Sequence, residues 1–147
     1  MSMTDDRPAG VDDRGFAIVS DQAYVVGACT PCWRCRTVIE VVCIYCDTGW
    51  ILGDEQVGFL VSNVAAMDEA LRRQLARWPQ YHPVRGGALA GCFANHCPHC
   101  RCVQQDFFLH CQPGGAFFSL DDAPAGTLQV WLLTGTVRLD GEEGFQP

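Results

Sequence analysis

The chain has 147 residues, ten cysteines and a formal net charge of -7, with 48% hydrophobic and 18% charged side chains. One ordinary domain of this apolar content can bury a single core, which excludes a largely disordered chain. The acidic balance, with a pI near 4.8, works against non-specific attraction to nucleic acid or anionic lipid and suits a basic protein partner better.

Residues 1–15 are polar and acidic and are expected to form a disordered tail, residues 16–140 one domain, and residues 141–147 (GEEGFQP) a flexible end. The first segment lacks the basic start and apolar run of a secretory signal, and no stretch offers the roughly 18 apolar residues of a membrane span. The cytoplasm is therefore the expected compartment. In such a reducing setting cysteines serve as metal ligands, buried small apolar groups or reactive thiols rather than as disulfides.

Along the chain, FAIV (16–19) and AYVVG (23–27) read as short strands, and the second runs into Cys29-Thr30-Pro31-Cys32-Trp33-Arg34-Cys35. TVIEVVCIY (37–45) is rich in β-branched residues and predicts a strand buried on most of its surface; VGFLV (57–61) predicts another. Val64, Met67, Leu71, Leu75 and Trp78 fall on one stripe at helical spacing, so a helix is expected from about 64 to 78, capped by Ser62 or Asn63 and stopped by Pro79. ALAGCFAN (88–95) leads to a second cysteine turn. DFFLH (106–110) and AFFSL (116–120) around Pro113-Gly114-Gly115 predict a hairpin, and TLQVWLL (127–133) with TVRLD (136–140) predicts a second. The fold class expected is α+β, mostly β, with one helix.

The second cysteine turn, Cys97-Pro98-His99-Cys100, has two chemical readings. A thiol-disulfide oxidoreductase would place Cys97 at a helix N-terminus, where the dipole stabilises a thiolate. Little room exists for such a helix between Cys100 and Pro113, and no β-α-β pattern precedes the turn. The metal reading uses a second pair, Cys32-Trp33-Arg34-Cys35, which also follows a predicted strand. Two C-x-x-C turns supply four thiolates for one tetrahedral zinc ion. The expected site is thus Cys32, Cys35, Cys97 and Cys100 holding one structural Zn2+, in a zinc-ribbon-like core whose 61-residue insertion carries strands and the helix.

Arg36 and Arg101 directly follow the two turns and are expected to offset the negative charge of a four-thiolate zinc site. Cys29 makes a triplet with Cys32 and Cys35 and could replace either as a ligand; it and Cys43, Cys46, Cys102 and Cys111 are candidates for a second site, or, with Cys92, for buried packing, and His82, His96, His99 and His110 are expected not to be ligands. Four protein thiolates leave no position for catalytic water, and no H-E-x-x-H, Walker A, G-x-G-x-x-G or G-x-S-x-G occurs, so no enzyme activity is expected.

The turns Cys32-Trp33-Arg34-Cys35 and Phe93-Ala94-Asn95-His96-Cys97-Pro98-His99-Cys100, with Gln104-Gln105-Asp106-Phe107-Phe108-Leu109-His110 after them, resemble those of bacterial zinc-ribbon-like proteins. These carry a Cys-Trp-Lys/Arg-Cys turn, then aromatic-Ala-Asn-x-Cys-Pro-x-Cys-Gly, then Gln-Gly-Asp-aromatic-aromatic-Leu-His. The resemblance covers a small part of the chain and implies the same four ligands but no activity. Glycine usually follows each C-x-x-C in that group, where this chain has Arg36 and Arg101. Asn95 and Asp106 flank the second turn and are expected to orient it through hydrogen bonds.

Three functions fit. The first is a bacterial, cytoplasmic protein–protein interaction domain, non-catalytic, with one structural zinc and an immunity-protein or antitoxin type of role against a basic partner. The second is a nucleic-acid-associated zinc ribbon using Arg34, Arg36, Arg72, Arg73, Arg77 and Arg101. The third is thiol redox chemistry at Cys97 and Cys100.

Overall fold

The computed structural model describes residues 10–118 and 127–143. Its three long strands, β1 (Ile18–Pro31), β2 (Val38–Ile51) and β3 (Asp54–Met67), form consecutive antiparallel hairpins. Leu52 and Gly53 both have positive φ, at 51° and 85°, and close the β2–β3 hairpin with a two-residue turn whose twist matches the strands. A short helix, α1 (Glu69–Leu75), and the strands β4 (Tyr81–Pro83), β5 (Phe93–His96) and β6 (Val103–Gln104) follow. A π-helical turn spans Phe107–Cys111, and β7 (Gln129–Leu132) and β8 (Val137–Glu143) complete the described elements.

The first sheet runs β2-β3-β8-β1-β7, and β1 also pairs with β2, so β1, β2, β3 and β8 close into a ring. The second sheet is β4-β5-β6. Alternation along the long strands feeds two apolar clusters. Val25, Val42, Ile44, Phe59 and Val61 join Leu71, Leu75 and Trp78 in one. Val26, Val41, Cys43 and Leu60 join Cys32, Cys97, Leu109 and Phe117 in the other. Strands buried on both faces lose the apolar/polar alternation of a half-exposed sheet, which is why residues 37–45 read as a continuous hydrophobic run.

Several expectations are corrected. The helix begins at Glu69 rather than near Val64, because Ala66 and Met67 still pair with Asp140 and Leu139 of β8 and the Asp68 carboxylate caps α1 by accepting the Leu71 N–H at 2.9 Å. The stripe nonetheless packs as one apolar group: Val64, Met67, Leu71, Leu75 and Trp78 share the first cluster. The 106–120 hairpin is replaced by the π-helical turn and a further turn at 116–118; Ser119 and Leu120 lie outside the described residues. β7 and β8 are both strands, but each pairs with β1, β8 at Ile18–Ser20 and β7 at Tyr24–Gly27, and not with each other.

Asp12 lies within the expected tail, yet its carboxylate accepts Phe16 N–H at 2.8 Å and pairs with Arg138 at 2.8 Å. At the other end β8 runs three residues past 140, with Glu142 and Glu143 paired to Ser62 and Val61.

Candidate metal centre

Each C-x-x-C turn sits at the tip of a β-hairpin. Cys32–Arg36 connects β1 to β2, and Cys97–Arg101 connects β5 to β6. The two turns have the same backbone pattern. Cys32 N–H donates to Thr37 O at 2.8 Å and Arg36 N–H to Cys32 O at 3.0 Å; Cys97 N–H donates to Cys102 O at 2.9 Å and Arg101 N–H to Cys97 O at 2.8 Å. Arg36 and Arg101 have φ of 65° and 66°, the left-handed conformation that glycine adopts without steric cost. Replacing either arginine by glycine, R36G or R101G, is expected to leave metal content unchanged and to alter stability by no more than about 1 kcal/mol, the steric relief offset by glycine's greater unfolded-state entropy. Urea denaturation with zinc analysis checks this; a loss of several kcal/mol would show that the guanidinium groups hold the turns.

The turns bring Cys32, Cys35, Cys97 and Cys100 together, with all four sulfurs within 4.8 Å of one another. Two approaches cross from one turn to the other: Cys32 to Cys100 at 3.6 Å and Cys35 to Cys97 at 3.6 Å. A tetrahedron with metal–sulfur bonds of about 2.3 Å has sulfur–sulfur edges of about 3.8 Å. The four residues therefore fit a tetrathiolate ion. Cys32 and Cys97 are buried within the second apolar cluster, while Cys35 is exposed and Cys100 partly so.

Donors converge on the inner sulfurs. The Arg34 N–H lies 3.4 Å from Cys32 Sγ and the Gln104 side-chain amide 3.3 Å from it; the His99 N–H lies 3.4 Å from Cys97 Sγ. Burial pushes the Cys32 thiol up, but these hydrogen bonds and those from neighbouring groups outweigh it and bring it down to about 6. Cys35 is also lowered, chiefly by its hydrogen bond to the Thr37 hydroxyl. At Cys100 the hydrogen bond from the Cys102 backbone favours the thiolate, yet burial and the neighbouring sulfurs prevail and push it up to about 12. Four sulfurs this close stabilise one or two thiolates at the expense of the rest, and a divalent cation removes that conflict.

The arginines act differently from expectation. Arg34, rather than Arg36 or Arg101, reaches a sulfur: its Nη1 lies 3.0 Å from Cys102 Sγ. Cys43 and Cys46 form no second centre. Three residues apart on a strand, they face opposite ways, Cys43 in the second cluster and Cys46 in the first, and burial pushes Cys46 up to about 12. Among the described residues the four cysteines are the one group of three or more potential ligands in reach of a common ion.

No histidine joins them. His82 and His96 stack with ring centroids 3.6 Å apart and planes 13° from parallel. Rings so arranged cannot both aim an in-plane lone pair at one ion. The π-helical turn places His110 in the interior, where its Nδ1 lies 2.7 Å from Ser62 Oγ.

Asn95 and Asp106 hydrogen-bond backbone groups on β2 and β3, not the second cysteine turn that they were expected to orient. The Asn95 amide is buried and bonds both backbone groups of one residue, accepting Val42 N–H at 2.8 Å and donating to Val42 O at 2.8 Å. β3 pairs with β2 only from Ile44 onward, so this edge of Val42 has no strand beside it and Asn95 takes its place. Asp106 Oδ2 accepts the N–H of Asn63 at 2.9 Å. From sequence, Ser62 reads as a candidate helix cap and Gln104 as part of the Gln104–His110 stretch; neither reads as a partner of His110 or of Cys32, the contacts that the structure gives them.

No described helix is long and apolar enough to cross a membrane. No family model matches the chain, nor does any curated protein or solved structure.

Proposed function

We propose that this chain is a non-catalytic, zinc-ribbon-like interaction domain in which Cys32, Cys35, Cys97 and Cys100 hold one structural Zn2+. The observation that carries this reading is the convergence of four sulfurs from two matching hairpin turns. A tetrathiolate donor set suits zinc, and with four protein ligands it supplies a crosslink and no open position for chemistry. Cys97 and Cys100 each have a sulfur of the other turn at 3.6 Å, and the chain after Cys100 enters β6 instead of a helix. Both features favour metal binding over thiol redox exchange.

The interaction role rests on surface chemistry. The net charge is -7, and Trp33, Phe107 and Phe108 are each more than half exposed. Trp33 and Phe108 line a groove of about 360 Å3 beside the first turn. We assign this surface to a basic protein partner, in the manner of a bacterial cytoplasmic immunity protein or antitoxin. Two arginines of the nucleic-acid reading lie against aromatic rings: Arg72 is 5.4 Å from the centre of the Phe93 ring, and Arg77 is 5.4 Å from Trp78 and 5.3 Å from Trp131.

Purification of the tagged protein from its own cells at low salt is expected to retain a basic protein, released as salt rises, together with about one zinc per chain. Zinc without a retained partner would refute the interaction role alone. Salt-dependent DNA or RNA binding would favour the second reading instead.

A further inference from the structure

Away from the cysteines, three polar side chains meet in the interior. Ser62, His110 and Asp106 are 5%, 1% and 2% exposed. Ser62 Oγ lies 2.7 Å from His110 Nδ1, and His110 Nε2 lies 3.7 Å from Asp106 Oδ1. The last two atoms are buried and without a hydrogen-bond partner. They share the residue types of a hydrolytic triad, but the serine is on the wrong imidazole nitrogen and all three groups are closed to substrate.

We infer that Ser62, His110 and Asp106 form a buried proton-exchange site, in which one proton taken from solvent reverses the hydrogen bonds of the chain and clamps the π-helical turn onto β3. In the deprotonated form Ser62 Oγ–H donates to Nδ1, and Nε2–H points at the Asp106 carboxylate. On uptake, Oγ accepts the entering proton and passes its own to Nδ1, while Nε2 gives its proton to Oδ1. The result is a neutral carboxyl donating to Nε2 and Nδ1–H donating to Ser62, with one proton gained in all. The 3.7 Å separation exceeds a hydrogen bond, so the clamp closes by drawing Oδ1 and Nε2 together.

The location gives this step a structural consequence. Asp106 Oδ2 also holds the N–H of Asn63, whose φ of 48° lies at the register shift where β3 bulges away from β8. The site thus joins the segment after the second cysteine turn to the bulge. The titratable groups facing Asp106 from other elements are Cys43 on β2 and Tyr81 on β4, both raised well above their usual values, first by burial and then by the Asp106 charge. Neither is ionised near neutrality, and His110 is the sole basic group the described residues bring to Asp106.

Burial pushes Asp106 up to about 7, against the lowering effect of the Asn63 N–H, and pushes His110 down to about 4. The signs oppose each other. The raised carboxyl contributes stability that is present below its unfolded value, near 4, and lost as pH rises towards 7. The depressed imidazole contributes stability that is present above its unfolded value, near 6.5, and lost as pH falls towards 4.

The test is a crossed pH profile on zinc-loaded full-length protein. Wild-type stability is expected to be nearly flat from pH 4.5 to 6.5. D106N leaves the histidine alone, so its unfolding equilibrium should rise by up to tenfold per unit as pH falls; H110Q leaves the carboxylate alone and should show the opposite slope. In parallel, NMR of the wild type is expected to show the Asp106 carboxyl titrating near neutral pH together with a switch of the His110 tautomer. This second measurement decides the matter if a variant does not fold. Parallel slopes in the two variants, a carboxylate ionised throughout, or a fixed tautomer would each overturn the inference.

Discussion

Chelation of the metal is expected to unfold the domain, and C97S to prevent its folding. Cys97 and Cys32 belong to the four-cysteine cluster and to the core at once, packed with Val26, Val41, Leu109 and Phe117. Without an ion the sulfurs take up protons instead of sharing a cation, and the two hairpin tips lose the link that it would supply. The apparent binding free energy of a structural zinc site is on the order of 10 kcal/mol, comparable to the whole stability of a domain. Replacement of the exposed Cys35 by histidine, C35H, should be milder, because a three-cysteine, one-histidine set still binds zinc. Zinc analysis with near-ultraviolet circular dichroism checks both. A chain that keeps its native signal after complete zinc removal would show that the cysteine cluster does not hold the fold.

Asn95→Ala is expected to cost about 2–4 kcal/mol while leaving one zinc per chain bound. The substitution removes two hydrogen bonds at a single buried point and strands the N–H and C=O of Val42, each carrying a desolvation penalty of about 1–3 kcal/mol. Aspartate is not an adequate substitute, since a carboxylate accepts from Val42 N–H but cannot donate to Val42 O. Urea unfolding of zinc-loaded N95A and N95D measures the loss; a cost below about 0.5 kcal/mol in both would mean that water takes over the Val42 edge.

The four-cysteine cluster was legible because C-x-x-C is a local pattern: the two-residue spacing itself forms a turn able to direct two sulfurs to one point, and both copies occur in the chain. The start of α1 was not. Val64 and Met67 fit a helical stripe, yet β8, more than 70 residues later, continues β3 through Met67. Phe107-Phe108 likewise reads as strand by composition, but Asp106 and His110, spaced i and i+4, belong to a π-helical turn that buries Leu109 and His110 and exposes both phenylalanines. The partner of Asn95 was equally hidden, since it depends on where β3 stops covering β2. Local chemistry is written in neighbouring residues; register between distant strands is not.

The two halves of the cysteine cluster are made at different times. Cys35 precedes Cys97 by 62 residues, and at roughly 5–20 residues per second the first turn leaves the ribosome some 3 to 12 s before the second is complete. A nascent chain in that interval carries half a tetrahedron. Two such chains on neighbouring ribosomes can present four thiolates to one shared ion, so the long separation that would let an ion tie remote strands together also leaves room for metal-bridged dimers as an assembly error.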